Sequence, residues 1–308
     1  MASSRESNGN LSSAGHRLGQ IIGDWWETKV VFPMLSTVAQ ELQLFLDNRL
    51  VERTCRGGKL NWLDDEGNSV DYDFVLELGG DCATKGLPVA FFESFWRGGA
   101  RHSKDKARDD TNKLLPMRQT YATARFLAIA ASGEFTEPAR EYVRSRSVEL
   151  LFVQKQHIVA AFAAAGLTVD YDDDLAEPKK RVLVDQLQRK FVGKLEDKVK
   201  EHLLAIVGQT TLNSFASRVR GALTATPQEI KITSLKLSQP IVFQSIADAA
   251  EYLAAPSFNY DDTEEHYQYD VLYSDGSQFS RTLHSIQETR EMNQSLNRLV
   301  EHMRRVAG

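Results

Sequence analysis

Apolar residues recur at helical spacing over residues 17–49. Intervals of three or four positions predict one long amphipathic helix or two shorter ones. We expect an interruption near Phe32-Pro33, because proline lacks the backbone N–H that a helix interior requires. The apolar positions are Leu18, Ile21, Ile22, Trp25, Val30, Leu35, Val38, Leu42, Phe45 and Leu46. The preceding residues, 1–16, predict a disordered tail.

Patterns typical of strands follow this helical segment. Residues 59–64 and 69–78 are strand candidates around Asp64-Asp65-Glu66-Gly67-Asn68, which favours a hairpin turn. Residues 88–96 predict a third strand. Two later segments, 125–131 and 148–153, have the continuous apolar character of strands buried in a parallel sheet.

Helices are predicted between and after these later strands. Ser103 is the expected N-cap of the first of them, and Pro116 is expected to kink it. The predicted helices cover residues 103–123, 137–142 and 157–165, and a short last strand covers 167–171. An antiparallel hairpin that leads into alternating helices and strands predicts a mixed α/β (α+β) fold, with a central mixed sheet flanked by helices.

The remaining chain divides by pattern into a helical region and a small α+β module. We expect a core at 17–178, a mainly helical region at 179–227 and a separate module at 228–308. Within the module we predict a strand at 229–237, a helix at 246–253, a hairpin turning at Asp275-Gly276 and an amphipathic helix at 285–305.

Composition places the chain among ordinary globular proteins. Of its 308 residues, 42% are hydrophobic and 26% are charged. No run of 18 apolar residues occurs, so we expect no membrane association, and the first residues lack the apolar segment of a secretory signal. Cys55 and Cys82 are expected to be free thiols in a reducing cytoplasm.

Charge is distributed unevenly, although the formal net charge is only −5. Residues 97–118 carry seven Lys or Arg against three Asp, and residues 179–200 carry eight against three acids. Residues 170–177 hold five acids. Local basic segments on an acidic chain suit a nucleic-acid enzyme whose site must also hold cations. The alternative is that these basic residues only solvate helix faces.

Acidic residues interrupt two of the apolar strands. Asp71 and Asp73 precede Phe-Val-Leu-Glu-Leu, and Glu93 lies in Phe-Phe-Glu-Ser-Phe, with Lys104 and Lys106 about ten residues later. Burying an unpaired carboxylate is costly, so such acids indicate a cradle for a hard metal ion such as Mg²⁺. That arrangement is typical of metal-assisted phosphodiester hydrolysis.

Other chemistry is absent or open to a simpler interpretation. The chain has no phosphate-binding loop and no zinc-ligand spacing. Asp71 and Asp73 could instead be exposed residues of an edge strand, which often carries charge. This alternative is weaker for Glu93, because residues 89–96 are otherwise apolar apart from Ser94.

The acidic strands and the element order resemble the PD-(D/E)xK nuclease superfamily, with its restriction-endonuclease-like core. That core has the order αβββαβ, to which residues 17 to about 153 correspond. Asp73 matches the family's first acid, with Asp71 as the alternate, and Glu93 matches the second. Phe95 stands where the family expects lysine. Some members recruit this lysine from the next helix, which here favours Lys106 and then Lys104.

The resemblance implies roles for the surrounding residues. Asp73, Glu93 and the backbone carbonyl of Ser94 would hold Mg²⁺, with Mn²⁺ as the alternative ion. Glu27, on the N-terminal helix, would be an accessory acid, as would Asp71. The residues implied for gripping DNA phosphates are Arg97, Arg101 and His102.

The resemblance implies a Mg²⁺-dependent DNA endonuclease of the restriction or anti-phage defence type. Such an enzyme would act on duplex DNA as a homodimer or as a subunit of a larger defence complex. Phe95 favours the alternative, a non-cleaving DNA-binding or scaffold subunit. A third alternative is an RNA nuclease, because a metal site alone does not distinguish the sugar.

Overall fold

The computed structural model describes residues 13–171, 175–255 and 266–307, and these form a five-stranded, a four-stranded and a two-stranded β-sheet. The five-stranded main sheet has the spatial order β1-β4-β5-β6-β7. Its strands are β1 (Phe45–Asn48), β4 (Phe74–Leu78), β5 (Leu87–Arg97), β6 (Phe126–Gly133) and β7 (Glu149–Gln154). Contacts β1–β4 and β4–β5 are antiparallel, whereas β5–β6 and β6–β7 are parallel. The predicted central mixed sheet with flanking helices is therefore confirmed.

The N-terminal helical segment is continuous but shorter than predicted. It comprises α1 (Ala14–Trp25), a π-helical segment (Trp26–Val31) and α2 (Phe32–Glu41). The expected break at Phe32-Pro33 is wrong, because Pro33 lies in the first turn of α2, where a missing N–H is tolerated.

Both ends of this segment also differ from the predictions. Helix α1 begins at Ala14, so the expected tail to residue 16 is too long; its residues 1–12 lie outside the described residues. The helix predicted to continue to residue 49 ends at Glu41, and residues 45–48 form strand β1 instead. Strand β1 pairs with β4 and so provides partners for the backbone N–H and C=O groups along the edge of β4. The local spacing of apolar residues does not reveal this pairing.

The predicted hairpin forms, but it stands apart from the main sheet. Strands β2 (Leu60–Leu63) and β3 (Ser69–Tyr72) pair antiparallel across the expected turn. They form a two-stranded sheet of their own. The strand predicted over 69–78 is therefore two strands, β3 and β4, separated by a bend at Asp73.

A helix follows each of the last three strands of the main sheet, as predicted. Helices α3 (Ser103–Thr120) and α4 (Glu137–Ser145) connect its parallel strands, and α5 (Lys155–Ala164) follows β7. Ser103 is the first residue of α3 rather than its N-cap, and its hydroxyl donates to the Ala100 carbonyl. The N-cap is His102, in a left-handed conformation with φ of 61°. The strand predicted at 167–171 is wrong, because those residues have no regular structure.

The sheet has a hydrophobic cluster on each face. The first cluster joins α1, α2 and α5 to helices α6 (Glu177–Lys190), α7 (Lys194–Val207) and α8 (Gln209–Thr224). Trp25 and Trp26 are buried in it, and the second cluster lies under α3 and α4. Residues 177–224 are mainly helical, as expected. The first cluster contains residues from both sides of the expected boundary between residues 178 and 179.

The C-terminal residues form a four-stranded antiparallel sheet with two helices. In the spatial order β11-β10-β8-β9 its strands are β11 (Gln278–Leu283), β10 (Tyr267–Tyr273), β8 (Pro227–Ser234) and β9 (Gln239–Phe243). The helices are α9 (Ile246–Leu253) and α10 (Ile286–Ala307). The hairpin and both helices were predicted, whereas the edge strand β9 was not. Leu299 and Met303 of α10 belong to the first cluster, so this helix joins the sheet to the core.

Two compositional predictions also have structural counterparts. Cys55 and Cys82 are free thiols. Across the ranges that the structure describes, every helix is too short or too polar to cross a lipid bilayer.

Candidate active site

Asp73 is held against β5 by two backbone contacts. Its N–H donates to the Phe92 carbonyl at 3.3 Å, and its Oδ2 accepts from the N–H of Ser94 at 2.7 Å. The N–H and C=O of one strand residue point to the same side, so the Ser94 carbonyl also lies on the side of Asp73. The sheet thereby brings together three groups that the sequence predicted as metal ligands: Asp73, Glu93 and the Ser94 backbone.

Glu93 lies within β5 and is only 3% exposed. By strand alternation it shares the face of Phe91 and Phe95, which pack under α3. Its Oε1 accepts from the ammonium of Lys113 at 2.6 Å. Burial, and then the negative charges of Asp73 and Asp110, raise the pKa of Glu93 to about 8. Burial likewise raises the pKa of Asp73.

Helix α3 supplies the cations of a charged cluster that comprises Asp73, Glu93, Lys106, Asp110 and Lys113. Lys106, Asp110 and Lys113 follow one another at helical spacings of four and three, which places them on the helix face toward β5. Lys106 Nζ lies 2.7 Å from Asp110 Oδ1 and 5.2 Å from the centroid of the Phe95 ring. The ammonium thus lies above the ring of Phe95.

The three acids of the cluster stabilise the charged form of Lys106. Burial by itself lowers the pKa of Lys106, but the charges of Asp110, Glu93 and Asp73 outweigh it and raise that pKa. Asp110 has only 2% of its side chain exposed, and burial raises its pKa. Its Oδ2 is buried without a hydrogen-bond partner in the described structure. The cluster therefore contains an acceptor oxygen that could receive a proton or a water molecule.

Sequence reasoning missed Asp110 and Lys113. The signal that could have found them is their helical register with Lys106, which was already a candidate. Lys104 was the second choice for the displaced lysine, but it lies on the exposed side of α3. The structure joins Lys106 and Lys113 to the two strand acids, whereas Lys104 faces solvent.

The candidate phosphate-gripping residues surround the loop from β5 to α3. The guanidinium of Arg97 donates to the Arg101 backbone carbonyl. His102 Nδ1 lies 3.1 Å from Asp105 Oδ2. Arg101 and His102 are exposed at the start of α3, whereas Arg97 is partly buried. Arg101 and His102 are the two that are open to a nucleic-acid backbone.

The two accessory acids differ in their environments. Glu27, in the π-helical segment, is 8% exposed and accepts from Arg49 Nε at 2.9 and 3.1 Å. Burial raises the pKa of Glu27, and the charge of Asp73 contributes to this, so Glu27 belongs to the edge of the cluster. Asp71 instead accepts from the Leu60 N–H at 3.0 Å and serves the β2–β3 hairpin.

The donor set suits a magnesium ion bound mainly by water and phosphate. Among the described residues, no hydrogen bond occupies Asp73 Oδ1 or Glu93 Oε2. Each acid therefore has one oxygen available for an ion, and Mg²⁺ commonly uses only one or two protein carboxylates. In the same described ranges, no group of three or more His, Cys, Asp or Glu side chains is arranged to hold a metal.

Comparison of the chain with protein-family models, with characterised proteins and with solved structures gave no match.

Proposed function

We propose that this protein is a Mg²⁺-dependent endonuclease that hydrolyses phosphodiester bonds in DNA. The observation that carries the proposal is the convergence of Asp73 and Glu93 with the ammonium of Lys106 above Phe95. Two acids and one cation around a partly open site are the groups that metal-assisted attack on a phosphodiester requires.

The order of elements supports assignment to the PD-(D/E)xK class. A helix precedes three antiparallel strands, β1, β4 and β5, and these are followed by α3 and the parallel strand β6. This is the αβββαβ order of the class, with the β2–β3 hairpin inserted between the first and second core strands. Asp73 directly precedes the second core strand, and Glu93 lies on the third.

The residues divide the chemistry among them. Asp73, Glu93 and the Ser94 carbonyl would hold Mg²⁺, which when bound lowers the pKa of a coordinated water and offsets phosphate charge. Lys106 orients the attacking water and stabilises the extra negative charge that develops on the phosphate. Lys113 holds the Glu93 carboxylate in position through its 2.6 Å contact.

Binding would use the exposed basic side chains beside this centre. Arg101 can pair two phosphate oxygens at once through its planar guanidinium, and His102 adds a donor. Cleavage of both strands of a duplex needs two such centres, so we propose a homodimer or a subunit of a larger complex. Restriction or anti-phage defence is the setting that we propose for this activity.

The test is a plasmid-nicking assay with Mg²⁺, using Glu93→Gln. We expect the variant to lose nicking, because one metal ligand then lacks its charge, and to remain folded at the assay temperature, which thermal unfolding verifies. Asp109→Asn is the matched control, since Asp109 is an exposed acid next to Asp110 on α3. EDTA should abolish wild-type nicking. Turnover of Glu93→Gln at the wild-type rate would refute the proposal.

Phe95 supports a second candidate, a non-cleaving DNA-binding subunit that retains the fold. A phenyl ring cannot activate water, so this candidate requires that Lys106 not replace the missing lysine. It predicts DNA binding by the wild type without nicking under any metal condition. Cleavage of an RNA substrate but not of DNA would instead support the RNA nuclease.

A further inference from the structure

A cavity of about 620 Å³ lies between the main sheet and the C-terminal hairpin, outside the candidate active site. Its walls come from the start of β6, from α8 and from the turn between β10 and β11. Three guanidinium groups line it, those of Arg118, Arg125 and Arg218. Small-ligand sites in proteins have volumes of roughly 300–1,000 Å³, so this cavity is large enough for a nucleotide.

Arg125 is the buried member of this group. Its side chain is only 7% exposed, and its Cζ lies 3.1 Å from the centroid of the Tyr273 ring. Its Nη2 donates to Ser277 Oγ at 3.1 Å and to the Ala222 carbonyl at 3.4 Å, and it forms an ion pair with Asp275 Oδ2 at 3.6 Å. Nε is buried without a hydrogen-bond partner among the residues that the structure describes. A buried guanidinium with unused donors indicates a missing acceptor.

Arg118 and Arg218 widen the positive surface. Arg118 donates to the Ser147 carbonyl at 3.1 Å and, within the described part of the chain, has no carboxylate at ion-pair distance. Burial and the positive charge of Arg125 lower the pKa of the Arg118 guanidinium. Arg218 pairs with Glu149 at 2.8 Å near the rim. Two acids against three guanidinium groups leave the cavity with a net positive charge.

Apolar side chains also line the cavity. Ala122, Ala124, Leu127 and Phe279 are among them, which allows a ligand with an uncharged portion as well as an anionic one. Guanidinium groups pair with phosphate oxygens two at a time, and several of them together suit a multiply charged phosphate. The cavity is also remote from the acids of the active site. Glu93 is opposite Ile129 in β6, and Arg125 precedes Ile129 by four residues, about 13 Å of strand.

We propose that this cavity binds a small phosphorylated ligand of about nucleotide size, at a second site distinct from the phosphodiester-cleaving centre. The site joins β6 of the core to the β10–β11 hairpin. A bound ligand therefore contacts both the five-stranded main sheet and the four-stranded C-terminal sheet. The inference does not require that the protein cleave DNA.

The test is calorimetric titration of the full chain with inorganic pyrophosphate and with ADP, in EDTA so that no metal recruits either probe. We expect saturable binding of both at one site per chain, and none of adenosine. Arg118→Gln and Arg218→Gln should each weaken binding by about tenfold or more, because each removes charge-assisted hydrogen bonds. Both side chains are accessible enough for replacement without loss of the fold, which thermal unfolding verifies.

Arg220→Gln is the matched control. It lies on the same helix as Arg218 but pairs with Glu41 outside the cavity, so affinity should not change. Glu93→Gln should also bind both probes normally; loss of binding there would assign the probes to the catalytic centre and overturn the proposal. Absence of saturable wild-type binding, or undiminished affinity in Arg118→Gln, would overturn it too. Competition by a short DNA duplex would identify the ligand as a nucleic-acid backbone instead.

Discussion

Glu93 links protein stability to pH through its buried carboxylate. Its pKa of about 8 in the folded state exceeds the ordinary value of 4.5, so between these pH values the folded state binds more protons than the unfolded state. Its contribution to the free energy of unfolding therefore falls as pH rises through that window. The effect is about 1.4 kcal/mol for each unit by which the pKa is raised, a few kcal/mol in all.

We expect Glu93→Gln to remove this dependence, because an amide does not ionise. Without metal, the variant should gain unfolding temperature relative to wild type at about pH 8.5 and not at about pH 5. Thermal denaturation in EDTA at the two pH values measures the difference, with Asp109→Asn as the control. At high pH, Mg²⁺ should stabilise the wild type but not the variant. The ion competes with a proton for the Glu93 carboxylate, and the proton binds less as pH rises. If the unfolding temperatures of the wild type and of Glu93→Gln changed equally with pH, the pH dependence would not come from Glu93.

At the scale of elements, α3 places a cation above β5. Lys106 Nζ lies 5.2 Å from the Phe95 ring centroid, so the helix places an ammonium near the point that a lysine on the strand would reach. On the same helix, Lys113 donates a hydrogen bond to Glu93. Asp110 accepts a hydrogen bond from Lys106 and so holds that ammonium in place. The position of α3 against the sheet consequently determines whether the site is complete.

We predict that the lysine can be moved back to the strand. Lys106→Met should reduce the nicking rate by about 10²–10³, the usual loss for one transition-state electrostatic group. Adding Phe95→Lys to that variant should restore the nicking rate to at least about a tenth of the wild-type rate, because the new ammonium occupies the same space. Single-turnover rates on plasmid measure both effects.

Lys104→Met is the matched control on the same helix, since Lys104 faces solvent. It should weaken DNA binding and reduce its salt dependence without changing the single-turnover rate. If Lys104→Met rather than Lys106→Met lost the rate, the catalytic role would belong to Lys104. Phe95 is buried against Phe135, so unfolding temperatures must accompany every rate for the double variant.

At the scale of the whole molecule, α10 packs against both the C-terminal sheet and the core around the main sheet. Its first half packs in the C-terminal cluster through Met292 and Leu296, whereas Leu299 and Met303 pack in the first cluster with the N-terminal helices. One helix that contributes to two cores couples their stabilities. A chain ending near Gln228 would therefore lose part of the first cluster together with the module.

We expect Leu299→Ala to reduce the free energy of unfolding by about 2–5 kcal/mol, the usual effect of removing a buried leucine side chain. Because α10 spans both clusters, calorimetry should show one transition that shifts as a whole. Gln294→Ala, at an exposed position of the same helix, should change little. Two separate transitions, with only one of them shifted, would mean that residues 228–308 fold as an independent module.

The sequence by itself determined the class of fold and the acids of the candidate site. Continuous apolar runs predicted the parallel strands, and turn residues predicted both hairpins, because these signals are local. Asp73 and Glu93 were identifiable because a carboxylate in an apolar strand is costly unless something binds it. Lys106 became the favoured cation through the resemblance, in which some nucleases recruit the lysine from the helix after that strand.

Only the tertiary structure decided what completes the site and what lies beyond it. Strand β1 shares a helical pattern with the residues before it, and its pairing with β4 overrides that pattern. Asp110 and Lys113 join the site because α3 presents one face to β5, and the cavity around Arg125 exists because α8 and the β10–β11 turn meet there. The physical reason is common to all three: each depends on which distant surfaces pack together, and a local pattern of residues does not encode that choice.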